Sequence, residues 1–397
     1  MFESITIGTS ALLGHEKGLR TVGNNLANVN TAGFKSSQLG FTALFDQQAG
    51  GGQGAAGSNA GSGGSGSGMA VGGTVVNFQA GQDQSTGNPT DLRINGNGFF
   101  VIKRDNEYLY TRAGDFSFND KGALVNSAGD AVQAMGEGGT LSDLVLDKQL
   151  RSPAKATTTL KFAGAIPSPA AGSTAALADV TVPSITAVDA NGTSHSLSMK
   201  IHHNGNSEYA LTISEGATTV GTGTLKFAGA YPVPGFNAVT VDWTPAGLTA
   251  TSLKFDFASD VMAQPGASTI AFASQDGYAA GSKSDQTIGS DGLVTIKYSN
   301  GQTSTGPRLA LADFDSVRDL SEAGGSAFRR NADVVASYGY AGSATFGKLQ
   351  AGHREGSNVD LAEEFSNLIL MQRGYQAASH VVSTANEMIQ QLFEMKR

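Results

Sequence analysis

The C-terminal segment of the chain carries a seven-residue repeat that leaves little choice of structure. Leu361, Leu368, Tyr375, Val382 and Ile389 fall seven apart, and Met371, Ala378, Ala385 and Leu392 follow the last four of them by three residues. Alternating steps of three and four place all of these on one stripe of an α-helix, the a/d seam of a coiled coil. Ser357 and Asn358 are candidate N-caps. Asp360, Glu363 and Glu364 suit the positive end of the helix dipole, and Lys396 and Arg397 the negative end.

The N-terminal segment repeats the theme. Ile5, Leu12, Leu19 and Leu26 are seven apart and are joined by Val22 and Val29, while Gly8 and His15 interrupt the companion row. Glycines at 8, 14, 18 and 23 each cost roughly 1 kcal/mol relative to alanine inside a helix, so this helix is marginal alone. Gly33 is the expected terminator in the left-handed position after the last turn. With no partner nearby in sequence, each helix can bury its seam against the other end of the chain or against another copy.

Between the ends the chain reads as β. Among 397 residues there are 53 glycines, one tryptophan and 15% charged residues, a turn-rich bias. Ala49–Gly73 is a Gly/Ser/Ala tract with too little apolar surface to offset its ordering entropy, and is expected to be a flexible loop. It lacks the Gly-Lys-Ser/Thr of a phosphate loop. Phe99–Ile102 and Tyr108–Tyr110 flank a charged turn, and Asn119-Asp120-Lys121-Gly122 is a hairpin signal after Phe116 and Phe118. Leu197, Met199 and Ile201, and again Leu253, Phe255 and Phe257, alternate with polar residues as half-buried antiparallel strands do. Soft boundaries near Ser152-Pro153 and Gly277–Gly281 suggest a β domain inserted in another β domain. The expected fold class is mainly β with α-helical termini that form a coiled coil around nested antiparallel β domains.

Chemistry is hard to find. The formal charge of −8 leaves no basic surface for nucleic acid, and no run of about 20 apolar residues exists to span a bilayer. Absent cysteine excludes disulfides and thiolate sites. The six histidines show no zinc spacing, no Gly-x-Ser-x-Gly elbow occurs, and Asp313 and Asp315 read as a solvated strand edge. The expectation is no enzyme, no metal and no cofactor. The opening residues also lack the basic and apolar regions of a general secretory signal.

Three motifs then converge. Gly23-Asn24-Asn25-Leu26-Ala27-Asn28 leading to Thr31-Ala32-Gly33-Phe34-Lys35 resembles the N-terminal signature of flagellar rod and hook proteins. Ser357-Asn358-Val359-Asp360-Leu361, with Glu364, Gln372-Arg373 and Tyr375-Gln376, is similar to the other end of that family. Asn95–Phe100 and Tyr110–Phe116 match a third family pattern. Ala378 and Asp315 depart from it, standing where asparagine is usual in the family.

Length and the inserted domain favour the hook over the shorter rod proteins. The resemblance implies a helical homopolymer in the extracellular hook and basal body. Residues 1–33 plus 357–397 would form its inner tube and 34–73 plus 349–356 a Gly-rich linker domain. Residues 74–148 plus 282–348 would be the first β domain and 149–281 the outer one. It also implies export through the flagellar type III apparatus without a cleaved signal, with Phe41 and Phe45 as the export-gate motif. Implied partners are the distal rod, hook cap, hook-filament junction protein and export gate, with no nucleic acid and no membrane insertion. A distal rod protein, and from another class a secreted β-rich adhesin, are the alternatives.

Overall fold

The structure, a computed structural model, describes residues 2–45, 66–170, 177–343 and 345–395. A long helix stands at each end, α1 (Phe2–Ala27) and α2 (Leu361–Met395), and the other described residues are strand, turn and short 3-10 helix. The chain divides into two compact units: residues 1–147, 287–295 and 305–397, and residues 148–286 with 296–304.

In the first unit, α1 stops at Ala27, six residues short of the expected terminator Gly33. The cause is local. Asn28 turns its side-chain amide onto the Asn24 carbonyl at 2.9 Å, and the Thr31 hydroxyl closes on Asn28 Oδ1 at 3.1 Å, so asparagine competes with the helix for its own carbonyls. Gly33 does take a left-handed φ of +63°, for a different reason: a β-carbon there would collide with the Ala113 backbone. The cap of α2 also differs from expectation. Asp360 Oδ1 accepts from the amides of Ala362 at 2.8 Å and Glu363 at 3.2 Å, whereas Ser357 accepts only from Val359 and Asn358 is engaged elsewhere.

The Gly/Ser/Ala tract is not wholly a loop. Its end belongs to a strand (β2, Gly66–Val76) that pairs antiparallel with β1 (Ser37–Phe45), from Ser37 opposite Val76 to Phe45 opposite Gly66. The hairpin lies on α1 at Gly14, where a β-carbon would meet Met69, Phe41 and Val71. That helix surface supplies the burial that the composition of the tract lacks. Residues 46–65, which include the remainder of the expected loop, fall outside the described residues, as do Lys396 and Arg397.

The β part of the first unit centres on Phe99–Arg104, which pairs antiparallel with Glu107–Thr111, Ala131–Met135 and Leu311–Phe314. Asp105 and Asn106 turn the first of these hairpins with φ of +45° and +71°, the paired left-handed geometry of a two-residue turn. Phe99, Val101, Tyr110, Phe314 and Phe328 form a core in which the Tyr110 and Phe314 rings meet edge-on at 4.7 Å. The Asn119–Gly122 turn joins Phe116–Phe118 to Leu124–Asn126 as expected. Outgoing and returning chain run side by side: Lys348–Ala351 pairs with Leu92–Asn95, and His353–Glu355 with Asp83–Ser85.

The second unit is a sandwich. Val180–Val188, Ser194–Gly205, Glu208–Glu215, Thr218–Ala228 and Tyr231–Pro232 form one antiparallel sheet. Ala238–Trp243, Thr251–Gln264, Thr159–Pro167 and Ala271–Gln275 form the other. Leu197, Met199 and Ile201 from the first and Leu253, Phe255 and Phe257 from the second are all buried in one shared core. The expected all-antiparallel pairing fails at one place, where Thr159–Pro167 runs parallel to Thr251–Gln264. Parallel neighbours need a long crossover, and the intervening chain is long enough because it builds the opposite sheet on the way.

At one end of this sandwich His195 is clamped by two carboxylates. Nδ1 lies 2.7 Å from Glu215 Oε1 and Nε2 lies 3.2 Å from Asp189 Oδ2, while the Trp243 indole N–H donates to Glu215 Oε2 at 3.0 Å. Both ring nitrogens face acceptors, so the imidazolium is the form that satisfies them. Burial alone would lower its pKa, but the bonds to Glu215 and Asp189 outweigh it and raise it above 6.5. A raised value in the folded state gives stability that is complete below 6.5 and lost as pH rises through the folded pKa. Thermal unfolding of the second unit is therefore expected to fall between neutral and alkaline pH, and His195→Gln to remove that dependence; scanning calorimetry across pH checks both.

Candidate assembly interface

α1 and α2 lie antiparallel along one another. A β-carbon on Gly8 would stand 2.6 Å from Val382 Cγ2, one on Gly18 2.7 Å from Met371 Sδ, and one on Gly374 would enter the His15 ring. Asn25 reaches Glu364 at the end of the same register. Gly8 and His15, interruptions of the apolar row in the sequence, are thus contact positions, and the glycines let the two backbones approach closely.

Of the heptad residues, Val22, Ala378 and Ala385 are buried. Ile5, Leu12, Leu19, Leu26, Val29, Leu368, Met371, Val382 and Ile389 are half-buried. Leu361, Tyr375 and Leu392 are exposed in the single chain. Much else apolar on α2 is uncovered as well: Phe365, Ile369, Leu370, Val381, Met388 and Phe393 expose between 44% and 72% of their surface. A 35-residue helix with apolar side chains on both flanks of its intramolecular seam is a surface that calls for further partners.

The family-signature residues gather at the foot of the helix pair, where three segments meet. Asn25 is buried; its Oδ1 accepts from the Ser37 amide at 3.0 Å, and its Nδ2 donates to Ser37 O at 2.9 Å and to Glu364 Oε1 at 2.8 Å. One asparagine thereby ties α1 to β1 and to the first turn of α2. Asn358 makes a second tie: Oδ1 accepts from the Ser36 amide at 2.7 Å, and Nδ2 donates to Asn77 O at 2.7 Å.

Lys35 makes the third. Its ammonium donates to Gln79 O at 2.7 Å and to Glu355 Oε1, with both side chains 1% exposed. Gly81 N–H also donates to that oxygen at 2.9 Å, and Arg112 stands 3.6 Å from Glu355 Oε2, an ion pair beyond hydrogen-bond length. Burial lowers the Lys35 pKa below 10.5, opposed by the attraction of Glu355. Burial raises that of Glu364 above 4.5, opposed by the bond from Asn25.

The remaining signature residues are less engaged. Gly23 is exposed with open space around it, Asn24 and Asn28 bond each other, and Phe34 is half-buried beside a cavity of about 220 Å³. Ser357 is buried and Asp360 caps α2. Phe41 is 38% exposed on β1, with its ring 6.2 Å from that of His15; the Phe45 side chain falls outside the described residues.

Both ends of the chain match known families. Residues 5–35 match the family described as flagella basal body rod protein and residues 350–395 the flagellar basal body rod FlgEFG protein C-terminal family, so each covers one helix and its foot. Residues 93–206 match the flagellar hook protein FlgE/F/G D1 domain. The chain is 30% identical to the flagellar hook protein FlgE of Rhizobium meliloti, with all of both chains covered. It belongs to the flagellar hook protein FlgE family. FlgE of Treponema pallidum is 29% identical with all of both chains covered, and FlgE of Salmonella typhimurium is 29% identical across 99% of this chain and 100% of the other. A crystal structure of Helicobacter pylori FlgE2 overlaps 67% of this chain and 99% of the other, with a TM-score of 0.47 at 12% identity.

Lys35→Met leaves the Glu355 carboxylate buried without its ammonium, a loss of about 3–5 kcal/mol. Urea unfolding of the first unit is expected to show that loss, with part of it recovered in Lys35→Met/Glu355→Gln, where the carboxylate that lost its ammonium is gone and Arg112 is the charge that remains.

Proposed function

We propose that this hook subunit builds its tube by stacking copies through α1 and α2, which form a coiled-coil inner wall. In this reading 34–73 plus 349–356 act as the linker, and the two β domains, 74–148 plus 282–348 and 149–281, lie in successive outer layers. The observation that carries it is the uncovered apolar surface of α2: a soluble monomer does not keep Phe365, Ile369, Leu370, Val381, Met388 and Phe393 in water without a use for them. A head-to-tail contact that does not close on itself gives an open helical tube. Such a joint transmits motor torque while its outer domains exchange small, wet contacts as it bends. Distal rod, hook cap, hook-filament junction protein and export gate are the partners that this role requires, with the subunit exported to the cell exterior without a cleaved signal.

Val381→Glu with Met388→Glu places charges on exposed positions, so the monomer is expected to keep its unfolding transition while tubes vanish from electron micrographs. Tubes from that variant would remove the helices from the interface. For export, Phe41→Ala with Phe45→Ala is expected to block secretion yet leave polymerisation of the purified chain intact; normal secretion would refute the export-gate reading.

A further inference from the structure

Below the Asn25 tie, Gly18, Thr21 and Val22 of α1, Ser37, Gln38 and Leu39 of β1 and the first turns of α2 surround a cleft of about 230 Å³. Its lining holds two carboxylates, Glu363 and Glu364, and no cationic side chain. Glu364 is 6% exposed, yet only one of its oxygens is used: Oε1 accepts from Asn25, and Oε2 is buried with no hydrogen-bond partner. A buried carboxylate oxygen left unpaired costs far more than a neutral polar group in the same place, and among the described residues no donor reaches it. The cleft is therefore complete only with a donor from outside, and its charge selects a cation.

The same helix pair offers such a cation. Arg20 is held by Glu16 at 2.6 Å; among the described residues Lys17 of α1 and Arg373 of α2 are exposed and form no ion pair, and of these only Arg373 carries a planar guanidinium. Arg373 lies on the side of α2 turned away from α1, since its neighbours in the sequence, Met371 and Gly374, face α1. Cleft and cation thus occupy different faces of one chain and cannot meet within it. We propose that the guanidinium of Arg373 from a second copy enters this cleft and pairs with Glu364. A planar guanidinium offers the two parallel N–H bonds that a half-used carboxylate lacks. Because donor and acceptor sit on different patches, the contact is heterologous and propagates from copy to copy, giving the polymer its polarity.

The proposal rests on the reading that the chain polymerises through its helices. Its test is a double-mutant cycle on the full chain, measuring the critical concentration for tube formation by sedimentation. Arg373→Gln and Glu364→Gln are each expected to raise it roughly tenfold or more, and the double variant no further than either single change. Arg373→Lys, which keeps the charge, is expected to recover part of the loss. Multiplying effects in the double variant, or an unchanged critical concentration in either single one, would overturn the pairing. Absence of tubes from the unaltered chain would instead overturn the assembly reading beneath it, and monomer unfolding curves show separately that Glu364→Gln, whose amide oxygen still accepts from Asn25, folds.

Discussion

The ends of this chain, more than 300 residues apart in sequence, are held together by buried polar groups rather than by a greasy core. Asn25 bonds α1 to β1 and to Glu364 of α2, Asn358 bonds the approach to α2 onto Ser36 and Asn77, and Lys35 closes on Glu355 and Gln79. Such bonds add modest net stability but penalise every other arrangement, because a shift of one residue leaves several buried donors and acceptors unpaired. They fix where α1 leaves off and α2 begins. The antiparallel register of the helices, from Asn25 opposite Glu364 to Gly8 opposite Val382, follows from that anchor.

Above the anchor the helix pair is thin. Glycines at 8, 14 and 18 of α1 and at 374 of α2 allow close approach between the helices or to the β1/β2 hairpin, but supply little apolar area, and the helix that carries each gives up propensity there. Two helices so matched hold a register without completing a core. Apolar side chains remain outward on α2, and Glu364 keeps an oxygen unpaired. In the assembly proposed above this is a gain, because stacking of copies would cover the surplus surface, while the second unit keeps its own closed sandwich core.

The heptad at Leu368, Val382 and Ile389 and the alternation at Leu253, Phe255 and Phe257 were legible because period alone assigns a face. Period could not assign the partner of that face, which is why Tyr375 and Leu392 share a repeat with Ala378 and Ala385 but not their burial. Glycine misled twice. Gly8, read as an interruption of the seam, is one of its close contacts, and the Gly/Ser tract hid a strand whose burial comes from a distant helix. The roles of Asn25, Asn358 and Lys35 were visible only as a family resemblance, since their partners lie across the chain and no local spacing reveals them. The His195 clamp left no signal, because Asp189, Glu215 and Trp243 meet it only through the folding of two sheets.

The part of the chain that carries contacts between copies determines how the tube is built. A helical reconstruction of tubes formed by the unaltered chain measures this directly. It should place α1 and α2 on the inner wall, with Leu370, Val381 and Met388 buried against neighbouring copies. An inner wall formed by the β domains, with those three side chains still facing solvent, would contradict it.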